Sequence, residues 1–251
     1  MKYLVLTKRQ LTVTASILLV AVTVILTAVS LMSAGKKRRL PIYCVDRQDK
    51  YVSITFDAAW SSDDTDEIIA LLDKYGVKAT FFCVGSWVDA NPDAVKKLFD
   101  AGHEIMNHSD KHPHVVDISE ERFIEDVKSC NEKIKAITGV EPTLYRGPYG
   151  EYDDTTVSAI EKMGMYYIQW SADTVDWKEE NTSQMQIDNV MKRIDSGGII
   201  LMHNGTKHTV ETLRGLLERL TADGYKPVTV SELIYKNNYT IDQSGKQCRA
   251  K

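Results

Sequence analysis

Three of the chain's six histidines fall within seven residues, in the stretch E-I-M-N-H-S-D-K-H-P-H at 104–114. His108 and His112 are separated by three residues. On a helical or tight turn that spacing turns both imidazoles the same way, which suits two ligands of one metal ion. Pro113 argues against a long helix, because its ring removes a donor and clashes with the preceding turn. The pair is therefore expected on a short turn just after a strand. Spacing alone is equally compatible with ordinary surface histidines. Other residues able to act as acids, bases or carbonyl ligands also stand at the ends of apolar runs. Asp57 follows Y-V-S-I-T-F, and Arg146 ends T-L-Y-R. Asp173, Asp176 and Trp177 come shortly after Y-Y-I-Q-W, and His203 ends G-I-I-L-M-H. Each alone has a bland alternative: Asp57 as a helix cap, Arg146 in a surface pair, Trp177 as core.

Such residues need a scaffold that gathers strand ends. Apolar, β-rich runs occur at 51–56, 79–84, 103–107, 143–146, 166–170, 198–203 and 226–230, with helical periodicity between them. Ile68, Ile69, Leu71 and Leu72 form a stripe that stops at Gly76, a C′ residue by type. Asn91 and Pro92 read as an N-cap and first helical residue. Phe123, Ile124, Val127, Ile134 and Ile137 make one stripe of a longer helix that opens S-x-x-R, without a full capping box. Strands alternating with helices imply an α/β fold with a parallel sheet. At this length, closure into a barrel of (β/α) units is expected over an open doubly wound sheet, and no glycine-rich dinucleotide fingerprint follows the first strand. The active site of such a barrel lies at the C-terminal ends of its strands. Titratable residues recur at that end of five candidate strands, a coincidence that separate bland readings do not explain.

The 251 residues suit one membrane segment plus one domain of about 200 residues. The expected division is a short tail at 1–10, a transmembrane anchor at 11–34, a basic linker at 35–49, a catalytic domain at 50–235 and a C-terminal tail at 236–251. Residues 11–34 contain no charged side chain, and Lys2, Lys8, Arg9, Lys36, Lys37, Arg38 and Arg39 flank them. The run exceeds the roughly 20 residues needed to span a bilayer and is longer than the apolar core of most cleaved signal peptides. Cleavage near Ala28-Val29-Ser30 or Ser33-Ala34-Gly35 would instead release the domain. The positive-inside rule slightly favours the Lys36–Arg39 side as cytoplasmic, whereas long domains can translocate regardless of flanking charge. Of 31 basic residues seven lie in the first 39, which hold no acid, so the remainder carries 24 basic against 35 acidic residues, a net of −11. An acidic domain is a poor partner for nucleic acid or anionic lipid. Cys44, Cys83, Cys130 and Cys248 show no zinc-binding C-x-x-C spacing. Cys83 reads as a buried thiol, and a Cys44–Cys248 bridge is conceivable.

Taken in order, T-F-D (55–57), H-S-D-K-H (108–112), R-G-P-Y-G (146–150), D-T-V-D-W (173–177) and L-M-H (201–203) resemble the five motifs of the polysaccharide deacetylase family, carbohydrate esterase family 4 or NodB homology domain. The resemblance covers about 50–235. It implies a distorted (β/α)7-type barrel and hydrolysis of N-acetyl groups on glycans, with peptidoglycan-type N-acetyl sugar as the favoured substrate. Chitin-like oligomers and O-acetylated xylan are alternatives. It further implies Asp57 as general base, held by Arg146, and His203 as general acid, partnered by Asp176. His108 and His112 would be metal ligands, the Tyr149 N–H an oxyanion donor, and Trp177 and Leu201 the lining of the acetyl pocket. A monomer is expected.

The sequence departs from the family at one position. The first motif is usually T-F-D-D, with the second Asp as third protein ligand of the metal. Here it reads T-F-D-A-A-W, and Ala58 cannot coordinate. A divalent ion, zinc or cobalt, held on two histidines alone is expected to bind weakly. Asp63, Asp64 or Asp110 could substitute, although Asp63 and Asp64 also suit capping of the next helix. Alternatively the oxyanion is held by backbone donors without tight metal. Two other functions compete: a catalytically weakened glycan-binding protein, and an amidase acting on a small non-sugar amide. His114 and His208 match no family position and read as surface residues, with His208 near enough in sequence to reach the site.

Overall fold

The computed structural model describes residues 7–34 and 38–250; side chains at 10, 11, 25, 26 and 28–34 lie outside the described set. The chain forms two compact units, Met1–Arg38 and Arg39–Lys251. The first contains helix α1 (Lys8–Ala34). Its Thr12 and Thr27 hydroxyls donate to carbonyls one turn back, at 2.7 and 2.8 Å, so these hydroxyls find partners within the helix. Among the described residues no helix is long and apolar enough to cross a membrane. The anchor expected at 11–34 falls partly on side chains outside that set.

The second unit alternates strands and helices. Its strands are β1 (Cys44–Val45), β2 (Tyr51–Ala58), β3 (Thr80–Cys83), β4 (Glu104–Asn107), β5 (Leu144–Tyr145), β6 (Tyr166–Tyr167), β7 (Ala172–Asp173), β8 (Ile199–His203), β9 (Lys226–Pro227), β10 (Tyr239–Ile241) and β11 (Lys246–Arg249). Its helices are α2 (Thr65–Lys74), α3 (Gly85–Ala90), α4 (Pro92–Asp100), α5 (Glu120–Thr138), α6 (Asp154–Lys162), α7 (Ser183–Met191), α8 (Thr209–Ala222) and α9 (Val230–Leu233). The main sheet runs β6-β5-β4-β3-β2-β8-β7, with β9 on the side of β2, and all its pairs are parallel.

The seven apolar runs become β2, β3, β4, β5, β6, β8 and β9. β7 is two residues long and carries no run that periodicity could detect. The expected distorted (β/α)7-type barrel takes the form of an α/β half-barrel of parallel strands, and among the described residues no ladder joins β6 to β7. Residues 42–45 lie along this opening instead. Ile42 N–H donates to Tyr167 O at 2.8 Å, Gln169 N–H to Ile42 O at 2.7 Å, and Val45 N–H to Gly197 O at 2.9 Å.

The expected linker and C-terminal tail are corrected. β1 pairs with β11, and β11 with β10, in a three-stranded sheet. Residues from 39 to 49 and from 236 to 250 therefore belong to the folded unit. Short strands without apolar alternation leave little sequence signal, which is why they read as tails. All four cysteines are free, so Cys44 and Cys248 are not bridged.

Alternation along β2 decides where the chemistry points. Val52, Ile54, Phe56 and Ala58 join an apolar cluster with residues of α2, α4 and α8. Successive strand residues face opposite sides, so Ser53, Thr55 and Asp57 face away from that helix layer. All three are buried.

Candidate active site

Strand register brings the candidate acid and base together. β2 and β8 pair with Asp57 opposite His203. β4 and β5 pair with Asn107 opposite Tyr145, so His108 and Arg146 both leave the sheet one residue later. Arg146 N–H then donates to Asn107 O at 3.0 Å. The His108 Nδ1 lies 2.9 Å from the Arg146 carbonyl oxygen. A carbonyl only accepts, so Nδ1 carries the proton and Nε2 is left with its lone pair.

Asp57 and Arg146 are both buried. Arg146 Nη1 donates to Asp57 Oδ1 at 2.7 Å and to Thr55 Oγ1 at 2.8 Å, and Nη2 donates to Gln169 O at 3.2 Å. The guanidinium also sits 4.1 Å from the centre of the Phe82 ring. Burial opposes the charged carboxylate, but Arg146, His108 and His203 outweigh it and hold the Asp57 pKa below its usual value. Asp57 is thus ionised at neutral pH, with Oδ2 3.5 Å from His108 Nε2.

His203 is held by Asp176 twice. Its Nδ1 donates to Asp176 Oδ1 at 2.7 Å, and its backbone N–H donates to Asp176 Oδ2 at 2.8 Å. Burial works against the imidazolium, yet Asp176, Asp57 and Asp173 together raise the His203 pKa above 6.5. The two shifts favour an ionised Asp57 and a protonated His203, the states that a base and an acid require.

His108 and His112 come together on the turn after β4, with ring centroids 5.1 Å apart. Burial, then the neighbouring His108, lower the His112 pKa to about 4, and burial lowers that of His108 too. Both rings are neutral and able to offer lone pairs. The turn is built by Asp126 of α5, which sequence reasoning missed. Its carboxylate accepts from Ser109 Oγ at 2.6 Å, Asp110 N–H at 2.9 Å and Lys111 N–H at 3.0 Å. Ser109 and His112 take positive φ values of 70° and 54°, an uncommon conformation that those bonds support.

The donor set does not complete a metal site. Among the described residues no group of three or more His, Cys, Asp or Glu side chains is placed to hold an ion. Ala58 is fully buried in the helix-side apolar cluster. The substitute carboxylates expected from sequence are engaged or remote. Asp110 pairs with Lys133 at 2.6 Å. Asp64 accepts from Gly205 N–H at 2.7 Å and makes no side-chain cap on α2. Asp63 is exposed and does not line the cleft. What remains is a half-site of two imidazoles.

Around these groups lies a cleft of about 660 Å³. Tyr149, Trp177 and Leu201 line it together with Asp57, His112 and His203. Leu201 is buried, while Tyr149 is 60% and Trp177 50% exposed. Tyr149 has a φ of 57° and stacks on His114 with centroids 4.3 Å apart, and His114 Nδ1 is 2.8 Å from Glu151 Oε1. His114 is thus a prop for a cleft residue rather than an isolated surface group. His208 does not reach the cleft; it lies beside Glu211 at the start of α8. Trp60 and Trp170 line the cleft as well and were absent from the expected site, and so does Asp173, which the sequence singled out without assigning it a role. Their shared signal was position, since each lies in or beside a segment at the C-terminal end of a strand.

Comparison with known proteins agrees with this arrangement. A family model described as Polysaccharide deacetylase matches residues 45–168. A Bacillus cereus peptidoglycan-N-acetylglucosamine deacetylase is 34% identical over 77% of this chain and 92% of its own length. The Listeria monocytogenes peptidoglycan-N-acetylglucosamine deacetylase PgdA is 35% identical over 74% of this chain, which spans only 39% of that protein. Among solved structures, wild-type BA3943 from Bacillus anthracis, described as a CE4 family pseudoenzyme, is 33% identical with a TM-score of 0.74, covering 77% of this chain and 68% of that one. A mutant of BA3943 is described as having restored enzymatic activity; it matches at 34% identity and the same TM-score, over 77% of this chain and 70% of that one. Fold, register and likeness converge: the chain belongs to the polysaccharide deacetylase family, carbohydrate esterase family 4.

Proposed function

We propose that this chain hydrolyses N-acetyl groups on a cell-wall polysaccharide, with a peptidoglycan-type N-acetyl sugar as substrate. The observation that carries the reading is the pairing of Asp57 with His203 across neighbouring strands, each with its pKa shifted in the direction its role requires. Asp57 takes a proton from water as the water oxygen attacks the acetamide carbon. The Tyr149 backbone N–H donates to the oxyanion that forms. His203 then gives its proton to the nitrogen as the C–N bond breaks, leaving acetate and a free amine. Arg146 keeps Asp57 ionised and oriented, and Asp176 does the same for His203. Trp177 and Leu201 supply apolar surface for the acetyl methyl. The test is digestion of purified peptidoglycan followed by mass analysis of the muropeptides. Sugars lacking an acetyl group on glucosamine or muramic acid support the reading and identify the sugar. Unaltered muropeptides, together with unaltered chitooligosaccharides, overturn it.

The metal reading is part of the same proposal. Members of this family are generally dependent on a divalent metal. This branch, with T-F-D-A-A-W, holds zinc or cobalt weakly on His108 and His112. Metal analysis of the purified chain is expected to show less than one equivalent, lost to chelator, and Ala58→Asp is expected to tighten zinc binding in a calorimetric titration. A full equivalent that survives chelator contradicts weak binding. The chain is proposed to act as a monomer on a single-pass anchor, which the uncharged run at 11–34 supports, with the catalytic domain outside the cytoplasm, where a cell-wall substrate lies. Fractionation and protease accessibility in intact cells check both anchor and side.

A second reading, glycan binding without catalysis, is favoured by one observation: the likeness to a pseudoenzyme, coupled with an incomplete metal site. It predicts that Asp57→Asn and His203→Ala leave the cellular phenotype unchanged. An amidase for a small amide is disfavoured by the half-exposed aromatic rings around the cleft, which suit a larger ligand.

A further inference from the structure

Trp60 lies in the loop between β2 and α2, three residues after Asp57. It is 45% exposed, although a tryptophan ring left in water forgoes much of its burial energy. It lines the cleft with Asp57 and His203, and its ring centroid is 6.1 Å from that of His203, tilted by 41°. The ring is exposed but the backbone under it is fixed from both sides. The Trp60 carbonyl accepts from the Trp87 indole N–H at 2.6 Å, a residue at the start of α3. The next residue, Ser61, is gripped by the loop after β8: Asn204 Nδ2 donates to Ser61 O at 2.7 Å. Gly205 packs so tightly there that a Cβ would meet Ser61 N and O at 2.6 Å, at a φ of +67°. Asp64 closes the loop by accepting from Gly205 N–H at 2.7 Å. An apolar loop tip pinned at its backbone while its ring faces an open cleft is a preorganised contact surface, which lowers the ordering cost of binding.

We infer that Trp60 is a stacking platform for the sugar ring that carries the scissile amide, and so a specificity-determining residue of this site. The inference rests on the deacetylase reading for the identity of the sugar. The acid His203 must reach the amide nitrogen, and that nitrogen is bonded to the sugar ring, so the ring beside His203 is the sugar rather than the acetyl methyl. The methyl is served by Leu201, on the strand that ends at His203. Axial C–H groups of a pyranose offer an apolar face to an indole, while the ring's hydroxyls keep water or polar partners. Trp60 therefore selects pyranose amides over acetylated amines that lack a ring.

The test uses the whole chain with chitopentaose as probe, comparing wild type, Trp60→Ala and Trp60→Phe, each first shown to melt cooperatively. Trp60→Ala is expected to raise KM about tenfold, the size of one lost aromatic contact, with kcat falling less than about threefold. Trp60→Phe is expected to recover most of the KM. A KM within about twofold of wild type in Trp60→Ala overturns the platform, and so does a phenylalanine variant as impaired as the alanine one. Should wild type release no acetate from any glycan, the deacetylase reading fails but the platform is still read by calorimetric titration with chitopentaose. Binding weakened about tenfold in Trp60→Ala supports it, whereas equal affinity, or no binding by wild type, overturns it.

Discussion

At the scale of residues, two ion pairs define the chemistry. Arg146 lowers the Asp57 pKa and Asp176 raises that of His203, so the base is charged and the acid is protonated in the same window. kcat/KM is therefore expected to be bell-shaped, with an acid limb below 3.8 from Asp57 and an alkaline limb above 6.5 from His203. Asp176→Asn removes the charge that raises His203, so its alkaline limb moves to lower pH and activity falls. A limb that stays in place would deny Asp176 this role. Stability follows the same signs. The Asp57 contribution is present above 3.8 and is lost as pH falls through its depressed folded pKa. The His203 contribution is complete below 6.5 and is lost as pH rises through its elevated folded pKa. Asp57, His203, Arg146 and Asp176 were legible in the sequence because each ends a strand or sits in a short motif. Trp60 was less so, because nothing in an isolated loop residue says whether its side chain faces solvent or a cleft.

At the scale of elements, the histidine turn depends on a helix. Asp126 lies more than a dozen residues beyond the pair it organises, on the long stripe-bearing helix that sequence periodicity identified correctly. Periodicity describes the buried face of α5 and is silent about a polar residue bonded to a neighbouring loop. Asp126→Ala leaves Ser109 Oγ and two backbone N–H groups without their acceptor. A loss of roughly 2–3 kcal/mol is expected from bonds to a charged group, together with weaker zinc binding by His112. Chemical denaturation and metal titration check the two effects. Full stability in Asp126→Ala would show that the turn stands without the carboxylate. β2, β3, β4 and β8 were legible as strands for a related reason: burial on both faces leaves them with few exposed residues. β7 was not, since two residues between polar neighbours carry no period.

At the scale of the whole molecule, the sequence conveyed the α/β class and the order of motifs but understated the ends. The half-barrel is left open between β6 and β7, and residues 42–45 lie along the opening. Those residues pair in turn with β11 near the C-terminus. A chain ending at residue 235 loses β10 and β11, exposes the edge of β1 and removes Gln247, whose side chain exchanges 2.8 Å bonds with the Tyr235 backbone. Such a chain is expected to melt at lower temperature than the full chain and to aggregate. An unchanged melting temperature would return 236–251 to the status of a tail. The central claim, that Asp57 and His203 act as base and acid on an N-acetylated glycan, is tested most directly by acetate release from purified peptidoglycan. Wild type, Asp57→Asn and His203→Ala would be compared at one protein concentration, with and without added zinc. The account predicts steady release by wild type and a loss of roughly a hundred- to ten-thousand-fold in each variant. No release by wild type under either condition, or release undiminished in the variants, would contradict it.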